Sequence, residues 1–359
     1  APPPPPRMPA SLPPRGGLYP AATPASTFFV DVGAGHHLSV RVYGAAGAKP
    51  IVYLHGGPGG GTPPKLPQLF DPQSFRLYCF DQRGCGASTF APGGRLVENT
   101  TDALVADVEA VRVAAGVERW AVVGSSYGAL LAALYAARHS ERVEWAVLHG
   151  VFGGSLDELA WLFEGGAARF YPSAWREFEA GLARLGHDAV PAPSATDPLP
   201  HVRLYHEAIC LRSECDLAAA AAFAKLEDEV ETLAPEPAEH TATELEEGAQ
   251  IASHHFAHGC FLPPEGAVPE LARCADRLAA VPCILVNGRH DCVTPPANAD
   301  RVHAAWPGST LRIVEGGAHA LFEKAMRAAA MLALRELRGA GAEEEDGAEA
   351  AGGRKRGRT

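Results

Sequence analysis

Short apolar runs alternating with stretches of helical spacing set the pattern of this chain. Phe28 to Val32 and His37 to Tyr43 alternate apolar and polar positions around Gly33-Ala34-Gly35, which predicts an antiparallel pair of strands. Ile51-Val52-Tyr53-Leu54 is a continuous apolar run, as expected of a strand buried on both faces, and Arg76 to Phe80 is another. From Thr101 to Ala115 the apolar positions Leu104, Val105, Val108 and Val111 fall on one face of a helix. Trp120 to Val123 then reads as a strand, Ala129 to Ala137 as a helix and Val143 to Leu148 as a further strand. Strands alternating with helices predict a mostly parallel sheet with right-handed crossovers, an α/β fold.

After Gly150 the rhythm changes. Residues 151–282 are rich in Ala, Leu, Glu and aromatics and lack buried-strand runs, which predicts a helical insertion. The α/β pattern resumes at Cys283-Ile284-Leu285-Val286 and at Leu311-Arg312-Ile313-Val314, before a final helix from Leu321 to about Leu337. The expected division is a core of 26–150 and 283–338 interrupted by a helical cap of 151–282. Such an insertion falls at the C-terminal edge of the sheet, where ligands bind in open α/β folds, so it should shape a substrate pocket. Residues 1–25 open with five consecutive prolines and are expected to be a disordered tail. Residues 339–359 combine Gly and Ala with an acidic run, Glu343 to Asp346, and a basic end, Arg354 to Arg358, and read as a second, charged tail.

Composition narrows the function classes. A net charge of −11 argues against nucleic acid as a partner, and no apolar run approaches the roughly 18 residues a membrane span needs. The eight cysteines form no C-x-x-C pair and no regular framework, which fits a reducing compartment and a cytoplasmic location. Ala1 in place of an initiating Met leaves an upstream presequence, and with it an organellar address, open. His254, His255 and His258 have the look of a metal cluster, but no carboxylate or cysteine stands at a matching spacing, and neither metal nor cofactor is expected.

The candidate chemistry lies in Gly124-Ser125-Ser126-Tyr127-Gly128, a G-x-S-x-G between a predicted strand and a predicted helix. In that context it reads as a nucleophile elbow, whose glycines give room to a serine held in a strained backbone. A serine hydroxyl needs a base and an orienting acid, which follow in the order Ser, Asp/Glu, His. Asp291 stands directly after the Cys283 run and His319 directly after the Leu311 run, so both belong to loops at the same sheet edge as Ser126. His290 competes for the base, but it would leave Asp291 without a partner. The glycine-rich loop His55 to Gly61 follows the Ile51 strand and can aim backbone N–H groups at an oxyanion, assigned here to Gly57 and Tyr127. A phosphate-cradling role for that loop is disfavoured, since no Gly-Lys-Ser/Thr follows and Pro58 removes a donor.

Together with Asp81-Gln82-Arg83-Gly84-Cys85-Gly86, Glu98-Asn99-Thr100-Thr101, Gly288-Arg289-His290-Asp291 and Gly317-Ala318-His319, these segments resemble the proline iminopeptidases. These are serine peptidases of the α/β-hydrolase class, and the similarity runs from about Tyr19 to about Leu337. The resemblance implies an exopeptidase that releases N-terminal proline from short peptides and needs no cofactor. An alternative is a related hydrolase acting on esters or non-prolyl amides. It also implies cap glutamates that pair with the substrate amine. Glu207 matches the first, with His206 in place of the family's preceding Trp. Ala252 stands where the second is expected, and Glu227 is the other candidate for that role. Within the elbow, Ser125 replaces the usual Gly and Tyr127 the usual Trp; these changes touch substrate preference, not acyl transfer.

Overall fold

The structure, a computed structural model, describes residues 17–212, 214–234 and 240–352. Its strands are β1 (Ser26–Asp31), β2 (His37–Tyr43), β3 (Lys49–Leu54), β4 (Phe75–Phe80), β5 (Trp120–Ser125), β6 (Val143–His149), β7 (Cys283–Gly288) and β8 (Ser309–Val314). Among the described residues they form one sheet in the order β1-β2-β4-β3-β5-β6-β7-β8. The β1–β2 and β2–β4 pairs are antiparallel and every later pair is parallel. The helices of the core are α1 (Thr101–Ala114) and α2 (Tyr127–Arg138). Between β6 and β7 run α3 (Leu156–Phe163), α4 (Pro172–Arg184), α5 (Pro200–Cys210), α6 (Leu217–Val230), α7 (Ala242–Ala257), α8 (Val268–Arg273) and α9 (Ala275–Leu278). The chain then returns to the core with α10 (Pro296–Ala305) and α11 (Lys324–Gly352). This is the α/β-hydrolase architecture.

Period-two alternation along the central strands divides the apolar residues between two layers. Val52 and Leu54 of β3, Trp120 and Val122 of β5, and Leu285 of β7 face the layer containing α1, α2 and the inserted helices. Ile51, Tyr53, Ala121, Val123, Ile284 and Val286 face the opposite layer, closed by Met326, Met331 and Leu334 of α11. Because both faces are covered, these strands read as continuous apolar runs in the sequence. In α2 every residue except Arg138 is buried, which accounts for its uninterrupted alanines and leucines.

Two observations fall within the segments read as tails. Tyr19 lies within 1–25, yet it is buried in the second layer and its amide bonds to the Gln68 carbonyl at 2.8 Å. One aromatic ring after the proline run is enough apolar area to fix that segment, whereas residues 1–16 lie outside the described residues. At the other end, the backbone of α11 stays helical through the acidic run to Gly352, as its Ala and Glu content allows. The basic end, 354–358, is outside the described residues.

Candidate active site

Six parallel strands end at one edge, and the loops that follow them meet there. Ser126 caps the N-terminus of α2 with φ 57° and ψ −122°, a conformation that strains any residue with a Cβ. The flanking glycines are required by space. A Cβ on Gly124 would stand 2.1 Å from the Gly128 carbonyl oxygen, and one on Gly128 2.1 Å from that of Leu54. The Ser126 amide donates to the His149 carbonyl at 2.9 Å, tying the elbow to the end of β6.

Asp291 and His319 are brought together. His319 Nδ1 lies 2.9 Å from Asp291 Oδ2, with both side chains buried. Asp291 is held on its other sides by the amides of Val293 and Thr294 (3.1 and 2.7 Å), by the Thr294 hydroxyl (3.0 Å) and by Asn287 Nδ2. The His319 ring lies against the next turn of chain from the elbow, where a Cβ on Gly150 would stand 2.8 Å from its Cε1. Among the described residues the Ser126 hydroxyl makes no hydrogen bond; such links commonly tighten only when substrate is bound. Burial alone would lower the His319 pKa, but the charge and hydrogen bond of Asp291, helped by Glu231 and Glu227, raise it. The exposed His290 is bound to the Gly317 carbonyl through its amide only.

The glycine-rich loop lies directly beside the serine, since a Cβ on Gly56 would stand 2.9 Å from Ser126 Cβ. The Gly57 and Tyr127 amides carry no hydrogen bond among the described residues, so both are free donors. The Asp81-Gln82-Arg83-Gly84 loop explains how the glycines keep their shape. Gln82 Nε2 donates to the His55 carbonyl at 2.8 Å, and its amide to His55 Nε2 at 3.0 Å. Asp81 accepts from the amides of Thr62 and Ala87. Arg83 in turn makes a two-pronged ion pair with Asp107 of α1, at 2.7 and 2.8 Å.

The family model for the alpha/beta hydrolase fold matches residues 49–325. Proline iminopeptidase of Xylella fastidiosa strain Temecula1 is 37% identical over 85% of this chain and 94% of its own length. That of Arabidopsis thaliana is 35% identical over 89% and 82%. This chain belongs to the proline iminopeptidase family. In fold it is like the crystal structure of proline iminopeptidase from Mycobacterium smegmatis (TM-score 0.56, 21% identity, covering 88% of this chain and 100% of that one). It is equally like an esterase from Exiguobacterium antarcticum (TM-score 0.56, 16% identity, 86% and 98%).

The inserted helices distinguish this proline iminopeptidase chain. Glu207 is 45% exposed, and its carboxylate is committed to Arg203 on its own helix at 2.7 Å. Ala252 is buried on α7 and offers no charge. The end of α6 reaches His319 instead. The Glu231 carbonyl accepts from the amides of His319 and Ala320, at 2.9 and 3.0 Å. The side chains of Glu227 and Glu231 make no hydrogen bond among the described residues, and both are felt electrostatically by His319. Burial, with Asp228 adding to it, raises Glu227 to about 8; burial raises Glu231 as well. Glu231 escaped the sequence reading, although its i+4 spacing from Glu227 was a usable signal. Also unread was His149, buried beside His319, which burial pushes down to about 3 and whose Nδ1 pairs with the Ser125 hydroxyl at 2.8 Å. Tyr127 is anchored by Thr101 (2.6 Å) and by His255 of α7 (2.8 Å), which joins the elbow to the insertion.

Proposed function

We propose that this chain is a serine exopeptidase that releases proline from the N-terminus of short peptides. Ser126 attacks the carbonyl carbon of the N-terminal residue while its proton passes to His319 Nε2. Asp291 keeps Nδ1 protonated and stabilises the imidazolium that forms. The N–H groups of Gly57 and Tyr127 receive the oxyanion, a contribution of about 3–4 kcal/mol for each donor. His319 then protonates the leaving amine as the C–N bond breaks. Water, deprotonated by the same histidine, hydrolyses the acyl-enzyme and restores the serine.

The observation that carries the prolyl reading is the pair of unpaired carboxylates at the end of α6, both within the electrostatic reach of His319. A plain esterase site has no use for them, whereas a substrate ammonium does. We assign the amine to Glu227 and Glu231, with the inserted helices acting as the cap. Glu207 is left out, its charge being spent on Arg203.

The test compares proline-β-naphthylamide with alanine-β-naphthylamide and p-nitrophenyl esters. Prolyl turnover should dominate, and Ser126→Ala should reduce kcat roughly a million-fold. Faster ester turnover with no prolyl preference would replace this reading with that of a general hydrolase.

A further inference from the structure

Three histidines from two inserted helices converge away from the hydrogen bonds of Asp291 and His319. His254 and His258 stand four residues apart at the end of α7, the i, i+4 spacing that puts two imidazoles on one helix face. His206, from the facing helix α5, completes the group. One ring nitrogen from each of the three lies within 4.8 Å of the other two. His255, between the α7 pair in sequence, points elsewhere and bonds to Tyr127 and Asn99.

The state of each ring suits ligation. His258 Nδ1 donates to the His254 carbonyl at 2.7 Å, which fixes that nitrogen as the protonated one and leaves Nε2 as a lone-pair donor. A backbone carbonyl in that position is the usual orienting partner of a metal-bound histidine. His206 is the unexplained member: it is 7% exposed, and among the described residues its Nδ1 is buried without a partner and neither of its ring nitrogens makes a hydrogen bond. A buried polar atom left in that condition is costly unless something satisfies it. Three converging imidazole nitrogens, one on a buried ring, form a donor set and not merely an aromatic cluster.

We propose that His206, His254 and His258 bind a divalent transition-metal ion of the zinc type. Tetrahedral ligation with metal–nitrogen bonds of about 2.0–2.1 Å needs nitrogen separations of about 3.4 Å. The present spacing closes to that value by side-chain rotation, most easily at His258, whose ring is exposed. Three imidazoles leave the fourth position to water. The ion would fasten α5 to α7, one residue from the His255–Tyr127 bond that anchors the elbow.

The test uses the full chain without an affinity tag, stripped with EDTA and titrated with Zn²⁺ and Co²⁺. One equivalent of each should bind, Co²⁺ should give the visible absorption of a tetrahedral nitrogen site, and Zn²⁺ should raise the Tm. His206→Gln and His258→Gln should each weaken Zn²⁺ binding at least tenfold while keeping the far-UV circular dichroism of the stripped parent. The exposed position of His258 makes that variant informative even if His206→Gln folds poorly. Binding no tighter than in the His206→Gln/His258→Gln double variant would overturn the proposal. So would a Co²⁺ spectrum of thiolate character that survives both substitutions, which would assign the metal to cysteines.

Discussion

Glu227 holds its proton at neutral pH because burial raises its carboxyl to about 8. A substrate ammonium placed beside it favours the carboxylate, so binding is strongest where Glu227 is ionised and the amine is still protonated. The value of kcat/KM for proline-β-naphthylamide should therefore rise as the pH passes through about 8, above the limb set by His319. Glu227→Gln should abolish the upper limb and keep the lower one. A cyclopentanecarbonyl analogue, with the ring but no amine, should lack the upper limb even with the parent enzyme. An identical profile in Glu227→Gln would remove this carboxylate from the amine site. That Asp291 and His319 come together was legible in the sequence, because chain order and strand–loop position constrain them. Glu231 and His206 were not, since each acquires its role only when separate helices are packed together.

At the scale of elements, the loop from Asp81 to Gly86 is a clamp between the glycine-rich loop and α1. Its anchor is the Arg83–Asp107 pair, 5% and 2% exposed. Removing one partner strands a buried charge, so Asp107→Ala should cost roughly 3–5 kcal/mol in urea unfolding. Arg83→Met/Asp107→Leu, which removes both charges, should cost much less. A single variant within about 1 kcal/mol of the parent would show that the pair is dispensable. The central strands of this sheet were readable to within two residues, because burial on both faces demands unbroken apolar runs. The end of α11 was not: its Gly/Ala and acidic composition suits a solvated tail as well as a helix, and nothing in the pattern chooses. Tyr19 was hidden for the opposite reason, as a lone aromatic in a proline-rich stretch has no periodicity.

For the molecule as a whole, buried neutral histidines make acid the natural denaturant. Burial lowers His55, and it pushes His149 down to about 3. Both take up a proton on unfolding once the pH falls below about 6.5, so the unfolded state gains protons and stability declines with falling pH. His149 contributes a slope of about 1.4 kcal/mol per pH unit between there and its folded value, and His55 acts in the same direction. His319 acts in the opposite sense, since its raised pKa adds stability at low pH that is lost as the pH rises through the folded value. Urea titrations at pH 6 and pH 5 should show His149→Asn with a shallower pH slope than the parent, by about 1.4 kcal/mol per unit. An unchanged slope would mean that His149 is already protonated in the fold.

One carbonyl, that of Glu231, carries the amides of both His319 and Ala320. Glu323 reinforces the same junction, one carboxylate oxygen accepting from the Leu233 amide and the other from that of Ala318. The end of α6 is thus in direct contact with the His319 backbone, so a push on one is a push on the other. Any shift of the α6 end is therefore passed to His319 through a single carbonyl oxygen, so the orientation of that ring is set as much by the insertion as by the sheet.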